Sequence, residues 1–521
     1  MVVTKKVDAL NRAGAEEFLK ICEQFRLGNL PTESQHPKTL NLSNDAKTNV
    51  ARAIQTIKDI DYGVFQEVQN KLPELGLLKE KVAATIANGG NIFLCGCGAT
   101  GRLSLALETI WRHQHKNNPK LNSRIVSFMA GGDVALIHSV EKFEDFPEFG
   151  ERQLMELGFK EGDLLISTTE GGETPFVIGA TEAASRISSN SPFFLYCNPD
   201  DILKATAIRS KNVIMNSDIH KINVTVGPMA LTGSTRMQAT TILMYYVGLA
   251  MWFYDRDFSL ISSEVKSILS FVEKTDFNFL KPFIEKESEI YQNGGYLLYE
   301  TDAYLGISIL TDTTERSPTF SLYPFENQKD KDKNPSLSYL YFKNSKDGVT
   351  AWNDLLLRSP RTFHWEEVTA QTSGERLAGF DFSEKFPEMR AAYLKSKQHH
   401  FKIYFNEEKN HIQFELDNLT HTLELGELNF LSAHLVLKVL MNNLSTTIMG
   451  RMGRYESNLM TWVRASNNKL VDRAVRYATT LLAQKGIDVP YEKLVHTCFK
   501  LKDQIPRDEA LVLKMVEEYS K

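Results

Sequence analysis

Residues 91–108 read NIFLCGCGATGRLSLALE. A short apolar run enters a glycine-rich bend and leaves it with apolar residues at helical spacing, which predicts a strand, a tight loop and a helix N-terminus. Three further runs share the texture of IFLC: RIVSFMA from Arg124, DLLISTT from Asp163 and PFFLYC from Pro192. Apolar strands without alternation, separated by helical stretches, predict a parallel sheet covered on both faces.

The pattern returns later. GGYLLYETDAYLGISILTD from Gly294 again sets an apolar strand before a bend and a helix-like segment, and SLSYLYF and RTFHWEEV supply candidate strands. FKIYFNEEKNHIQFEL (401–416) alternates on both sides of NEEKN, the pattern of an antiparallel hairpin. Residues 1 to about 45 combine a short amphipathic start with the loop-like LPTESQHPKTLNLS; one or two helices are expected from Asp45 to about Asn88, and mostly helix after Leu428. ENQKDKDKNPS (326–336) reads as a solvated loop. A chain of 521 residues exceeds one core, and the division expected is 1–45, an N-terminal segment; 46–260 and 261–450, two α/β units; and 451–521, a helical C-terminal segment.

With 60 basic and 65 acidic side chains the net charge is −5, which gives no general handle for nucleic acid or an anionic membrane. Five scattered cysteines suit a reducing compartment, so a cytoplasmic location is expected. The first residues lack the apolar core of a signal peptide. TTILMYYVGLAMWFY (240–254) falls short of the ~20 residues of a membrane span and reads as a buried helix.

Gly96, Gly98 and Gly101 fit the dinucleotide spacing, but no acid follows the second strand where a ribose needs one, and no Gly-Lys-Ser/Thr makes a Walker loop. What remains is a backbone nest for a phosphate or sugar oxygen at a helix N-terminus, with Thr100 adding a hydroxyl, or a plain tight turn. STTEGGETPFVIGATEAA makes a second such start, with Thr174 and Pro175 at the helix entry. VGPMALTGSTRMQATT makes a third, with Thr232, Ser234 and Thr235 as caps or oxyanion ligands and Arg236 in the first turn. These starts converge at the carboxyl edge of one sheet, where open α/β sheets bind ligands.

Together with TESQHP (32–37), MAGGDVALIHSVEKFEDFPEFG (129–150), YCNPD (196–200) and LSTTIMGRMGRYESNLMTWVRASNNKL (444–470), these segments resemble the sugar isomerase (SIS) domain family, in the branch of the N-acetylmuramic acid 6-phosphate etherases and glucokinase regulatory proteins. The resemblance implies an α/β chain of two tandem SIS domains, flavodoxin-like three-layer sandwiches, with ETDAYLG in place of the second phosphate loop. It implies a phosphorylated sugar or amino-sugar as ligand, held by Gly98, Ala99, Thr100, Gly101 and Arg102, by Glu170, Gly171, Gly172, Glu173 and Thr174, and by Ser234 and Lys469. No metal and no cofactor are implied; a sugar kinase is the protein partner suggested.

For acid and base the resemblance gives Glu144 and, from the second unit, Glu315, because Ile110 stands where the etherase has its other glutamate and Glu108 lies two positions early. Gly171 replaces a serine, Glu173 stands where an arginine or uncharged residue is usual, and Met229 replaces a frequent glutamate. A carboxylate beside a phosphate dianion costs energy unless protonated or paired. Binding is the leading expectation; an etherase-like lyase and an aldose/ketose sugar-phosphate isomerase are the alternatives.

The same residues have simpler readings. Glu144 can be an exposed acid, and Glu315 can pair with Arg316 or cap a helix starting near Pro318. Arg102 can bridge to a nearby acid. Lys469 at a helix start opposes the dipole, which favours a ligand role. His113 and His115 do not share a helix face and make a poor metal pair. His399 and His400 read as a polar boundary before the hairpin, and Cys97 as a small packing residue.

Overall fold

The computed structural model describes residues 14–140 and 143–520; the amphipathic start over residues 1–13 lies outside them. The four apolar runs form β1 (Ile92–Gly96), β2 (Ile125–Met129), β3 (Leu164–Thr168) and β4 (Phe193–Tyr196). With β5 (His220–Asn223) they make a parallel sheet in the order β2-β1-β3-β4-β5. The order reverses between β1 and β3, which opens a crevice at their carboxyl ends. β1, β3 and β4 are buried along their whole length. β5, sequence HKIN, is a half-buried edge strand, too short and polar to stand out in the sequence.

The second sheet comprises β6 (Tyr296–Thr301), β7 (Ser338–Phe342), β8 (Gln398–Asn406), β9 (His411–Leu416) and β10 (Leu419–Glu424). Its order, β7-β6-β8-β9-β10, repeats that of the first sheet. The fold is therefore α/β with two five-stranded sheets flanked by helices, as expected. One half of the second sheet departs from the parallel pattern: β6, β7 and β8 are parallel, whereas β8, β9 and β10 form an antiparallel meander. The expected hairpin is its first turn, and Asp417 at φ 52° makes the second.

Other expectations need correction. RTFHWEEV forms no strand; it is an irregular strap ending in a turn, and it carries Phe363 and Trp365 onto Phe143 of the first unit, at ring distances of 5.7 and 5.5 Å. Asp45 to Asn88 holds parts of three helices, Leu42–Thr48, Val50–Asn70 and Leu72–Ala87. His399 and His400 lie inside β8 rather than ahead of it. The loop 326–336 is solvated only in its middle, because Glu326 is buried and accepts from Arg390 at 2.7 Å and Tyr393 at 3.0 Å.

Two apolar helices form the middle of the molecule. Gln238–Trp252 is the buried helix expected around TTILMYYVGLAMWFY, although Arg236 precedes its first turn instead of lying in it. Phe430–Arg451 is buried from Phe430 through Gly450, as a helix without a solvent face must be. It packs on Val50–Asn70 and Gln238–Trp252 of the first unit and on Leu280–Gln292 and Gly306–Phe320 of the second. The C-terminal helices Asn468–Gln484, Tyr491–Leu501 and Leu511–Glu517 pack on one another. The first of them is fastened to the N-terminal 3-10 turns by Glu33, which accepts from Arg473 at 3.1 Å and Arg476 at 3.0 Å.

Candidate functional site

β1 ends at Gly96, the chain turns through Cys97 and Gly98, and a helix runs from Ala99 to Gln114. Gly98 has φ +55°, a conformation that side chains resist. A Cβ on Gly96 would sit 2.3 Å from the Thr100 carbonyl carbon, and one on Gly101 would sit 2.4 Å from Met129 Cβ. The glycines thus let the helix start pack directly on the strand. Thr100 spends its hydroxyl inside the turn, accepting from Cys97 N at 3.0 Å and donating to Cys97 O at 2.9 Å.

Two adjoining cavities of about 220 and 270 Å³ open beside this turn. Cys97, Gly98 and Met129 line the first, Glu173, Thr174, Arg209 and Lys469 the second, and Glu144 and Asn467 line both. Cys97 Sγ donates to Glu144 Oε2 at 3.3 Å, and burial together with that carboxylate pushes the thiol pKa well up, which suits a packing residue. Asn467 Nδ2 donates to Glu144 Oε1 at 3.5 Å.

Glu173 is buried, and two cations compensate it: Arg209 at 2.7 Å and Lys469 at 3.3 Å. Burial works against the Lys469 ammonium, but Glu173 and Glu33 outweigh it and hold its pKa above the ordinary value. Glu170, also buried, accepts from Thr240 Oγ1 at 3.3 Å, and burial, outweighing its own backbone N–H and the Lys469 charge, lifts its pKa to about 7. Gly171 and Gly172 serve the loop itself: their carbonyls accept from Asn198 at 3.2 Å and Ser210 at 2.8 Å, and Gly172 has φ +77°.

The structure thus gathers Gly98, Glu144, Glu173, Thr174 and Lys469 around the double cavity and takes others elsewhere. Arg102 is buried; it donates to the carbonyls of Ala135 and Leu136 and forms an ion pair with Glu315 of the second unit. Glu315 lies within the Gly306–Phe320 helix, which continues through Pro318, so no helix starts there for it to cap. Arg316 pairs instead with Glu287 and Asp312. With Ala99, Arg102, Asp312 and Lys438, Glu315 lines a separate space of about 20 Å³. Ser234 is buried beside Thr232, and among the described residues neither hydroxyl has a hydrogen-bond partner.

Glu108, two positions ahead of the etherase register, is an ionic junction: Arg112 at 2.9 Å, Arg358 at 3.1 Å and Arg361 at 2.8 Å surround it. Despite its burial, Arg358 and Arg361 hold its pKa far below the usual range. In the second unit, the start of ETDAYLG is closed by its own acid, since Asp302 accepts from the backbone N–H groups of Tyr304 at 2.9 Å and Phe405 at 3.2 Å. Asn467 and Arg209 were not anticipated. Asn467 caps its helix by accepting from Leu470 N at 3.0 Å, a role SNNKL hints at, whereas IRSKN carries no signal for Arg209. His113 faces Glu407 at 3.3 Å and stacks on Phe430; among the described residues no cluster of His, Cys, Asp or Glu is arranged to hold a metal. No helix among them is long and apolar enough to cross a membrane.

Residues 76–185 match the family described as the glucokinase regulatory protein N-terminal SIS domain. N-acetylmuramic acid 6-phosphate etherases are similar to the chain: that of Salmonella agona is 33% identical over 217 residues, 42% of this chain and 67% of the etherase. That of Bacillus pumilus is 31% identical over 216 residues, 42% and 65% respectively. The chain thus spans about two thirds of the length of these relatives. Among solved structures, a putative phosphosugar isomerase from Silicibacter pomeroyi aligns with 77% of this chain and 99% of its own, at 11% identity and a TM-score of 0.42. The chain belongs to the SIS-domain proteins, related to the glucokinase regulatory protein N-terminal SIS domain and to the N-acetylmuramic acid 6-phosphate etherases.

Proposed function

We propose that this protein binds a phosphorylated sugar or amino-sugar in the double cavity, without turning it over. The observation that carries the reading is the placing of one glycine turn and one lysine around a common space: Gly98 lines one lobe, Lys469 the other, and Glu144 with Asn467 stands between them. Backbone N–H groups at a helix start and a lysine are the donors a phosphate takes, while Glu144 and Asn467 suit sugar hydroxyls. In this reading residues 46–260 form the binding unit, and the second unit (261–450) and the C-terminal segment complete the site. Glu173 does not repel the ligand outright, because Arg209 remains as its partner when phosphate takes Lys469.

An etherase-like lyase needs two carboxyl groups on one substrate. Glu144 lines the cavity, but Glu315 is engaged by Arg102 and lines a different space, which supports binding over catalysis. A location in the cytoplasm and a protein partner such as a sugar kinase fit a protein that reports sugar-phosphate levels.

A thermal-shift and calorimetry panel of sugar phosphates tests the reading. A ligand at ~100 times its Kd should stabilise the protein by about 2.7 kcal/mol. Lys469→Ala should abolish the shift while leaving the unliganded Tm close to that of the parent. Silence to every phosphosugar defeats the proposal, and lactate released from N-acetylmuramic acid 6-phosphate in a Glu144-dependent manner replaces it with the lyase.

A further inference from the structure

The C-terminal segment borders a further and larger cavity, about 490 Å³, between itself and the two units. His138 comes from the first unit, Ser317 from the second, and Arg464, Lys502 and Arg507 from the C-terminal segment. The charges on the C-terminal side of this cavity are arranged unlike the buried arginines of the core. Arg236, Arg316, Arg358 and Arg390 are each buried against a carboxylate, and so is Arg102, which lines this cavity but is paired with Glu315. Arg464 and Arg507, by contrast, form no ion pair among the described residues.

Arg464 donates Nε to Ser321 at 2.7 Å and Nη1 to the carbonyl of Ile505 at 2.8 Å, while its buried Nη2 has no hydrogen-bond partner among the described residues. Arg507 donates Nη1 to the carbonyl of Leu322 at 2.9 Å and lies 5.2 Å over the Tyr323 ring. The one acid on the lining, Asp503, is already taken by Lys502 at 3.2 Å, and Asp508 acts on Arg464 only from beyond contact. Burial and the neighbouring Arg507 both work against the Arg464 cation. Arg464, half-buried, and Arg507, exposed at the mouth, line one space with no carboxylate in ion-pair contact among the described residues, an arrangement that an oxyanion complements.

We propose that this cavity is a second anion site, in which Arg464 and Arg507 take a phosphoryl group of a small metabolite. It stands apart from the Gly98 turn, and its validity does not depend on the sugar-phosphate reading of that turn. Ser139, Pro318, Ser466 and Leu470 line both this cavity and the one beside Gly98, so the two spaces adjoin. Arg464 also lies five positions before Lys469, on the segment that leads into the Asn468–Gln484 helix. An occupant that fixes Arg464 therefore fixes the approach of Lys469 and Asn467 to the first cavity. The phosphoryl group belongs either to a separate effector coupled to the first site, with the reciprocal effect linkage demands, or to the far end of a ligand with two phosphoryl groups.

The test is calorimetric titration of the full chain with pyrophosphate and with a hexose bisphosphate. Replacing both guanidinium groups in an Arg464→Gln/Arg507→Gln variant should weaken pyrophosphate binding about tenfold or more, the scale of lost charge-assisted hydrogen bonds. Lys469→Gln should leave pyrophosphate affinity within about twofold, since it touches only the other cavity. If the double variant fails to fold by circular dichroism, Arg507→Gln alone gives the same readout, because Arg507 is exposed and its side chain is held by the Leu322 carbonyl and the Tyr323 ring. A bisphosphate that binds once and is weakened by both Lys469→Gln and Arg507→Gln spans the cavities; one weakened only by Arg507→Gln occupies the second site alone. Either result supports the site. No pyrophosphate binding by the parent protein, or affinity unchanged in the arginine variants, overturns it.

Discussion

Glu170 lines neither lobe of the candidate site but acts electrostatically on Lys469, which lines one of them. Burial lifts its carboxyl to about 7, so it is neutral below that pH and an anion above it, in the same pocket of charge as Lys469. A phosphorylated ligand should therefore bind less tightly as pH rises through 7. Glu170→Gln should flatten that fall, read as Kd between pH 6 and 8; an unchanged slope would place the titration on the ligand alone. The residue types of the site were legible in the sequence, but their partners were not. Arg102 reads as a phosphate ligand or a partner for a nearby acid, and its acid is Glu315, 213 positions away. Nothing local in GCGATGR records that distance. Glu173 reads as an obstacle to phosphate until Arg209, from a segment without a motif, is seen to neutralise it.

At the scale of elements, the strands of continuous apolar sequence were all legible, because burial on both faces leaves no other pattern. RTFHWEEV misleads for a physical reason. Phe363 and Trp365 are two apart and share a face, as in a strand, but the face they serve is an aromatic cluster on the other unit, built on Phe143 and Phe149. Trp365 is 2% exposed, so Trp365→Ala should cost about 3–5 kcal/mol in denaturant unfolding, the range for large aromatic deletions. TESQHP reads as a loop, and its 3-10 turns hide the acid that joins the two ends of the chain. Burial disfavours the Glu33 carboxylate, but Arg473 and Arg476 outweigh it and lower its pKa to about 2 from 4.5. Its contribution is present above pH 4.5 and lost as pH falls towards 2. Glu33→Gln should destabilise by about 3 kcal/mol at pH 7, as expected for a broken buried pair, with the gap closing in acid; a pH-independent gap would assign the effect to packing.

For the whole molecule, two successive α/β units follow from the sequence, while their union does not. It rests on ion pairs between distant segments: Arg236 with Asp312 at 2.8 Å, Arg358 with Asp133 at 2.6 Å, and Arg361 with Glu108. Cutting the chain at residue 260 strips Glu108 and Asp133 of arginines from the second unit and uncovers the aromatic cluster. The isolated 46–260 piece should therefore lack the dispersed amide spectrum of a packed domain, although its sheet is complete; a well-dispersed spectrum would show that the units fold independently.

The buried Phe430–Arg451 helix also sets a timetable. It fills the space between helices near the start of the chain and those of the second unit, so the first unit cannot complete its core until the ribosome has made residues far downstream. At ~5–20 residues per second, the parts of Val50–Asn70 and Gln238–Trp252 that this helix covers wait tens of seconds for it. A protein arranged in this way folds late and needs its nascent chain shielded until the last quarter is translated.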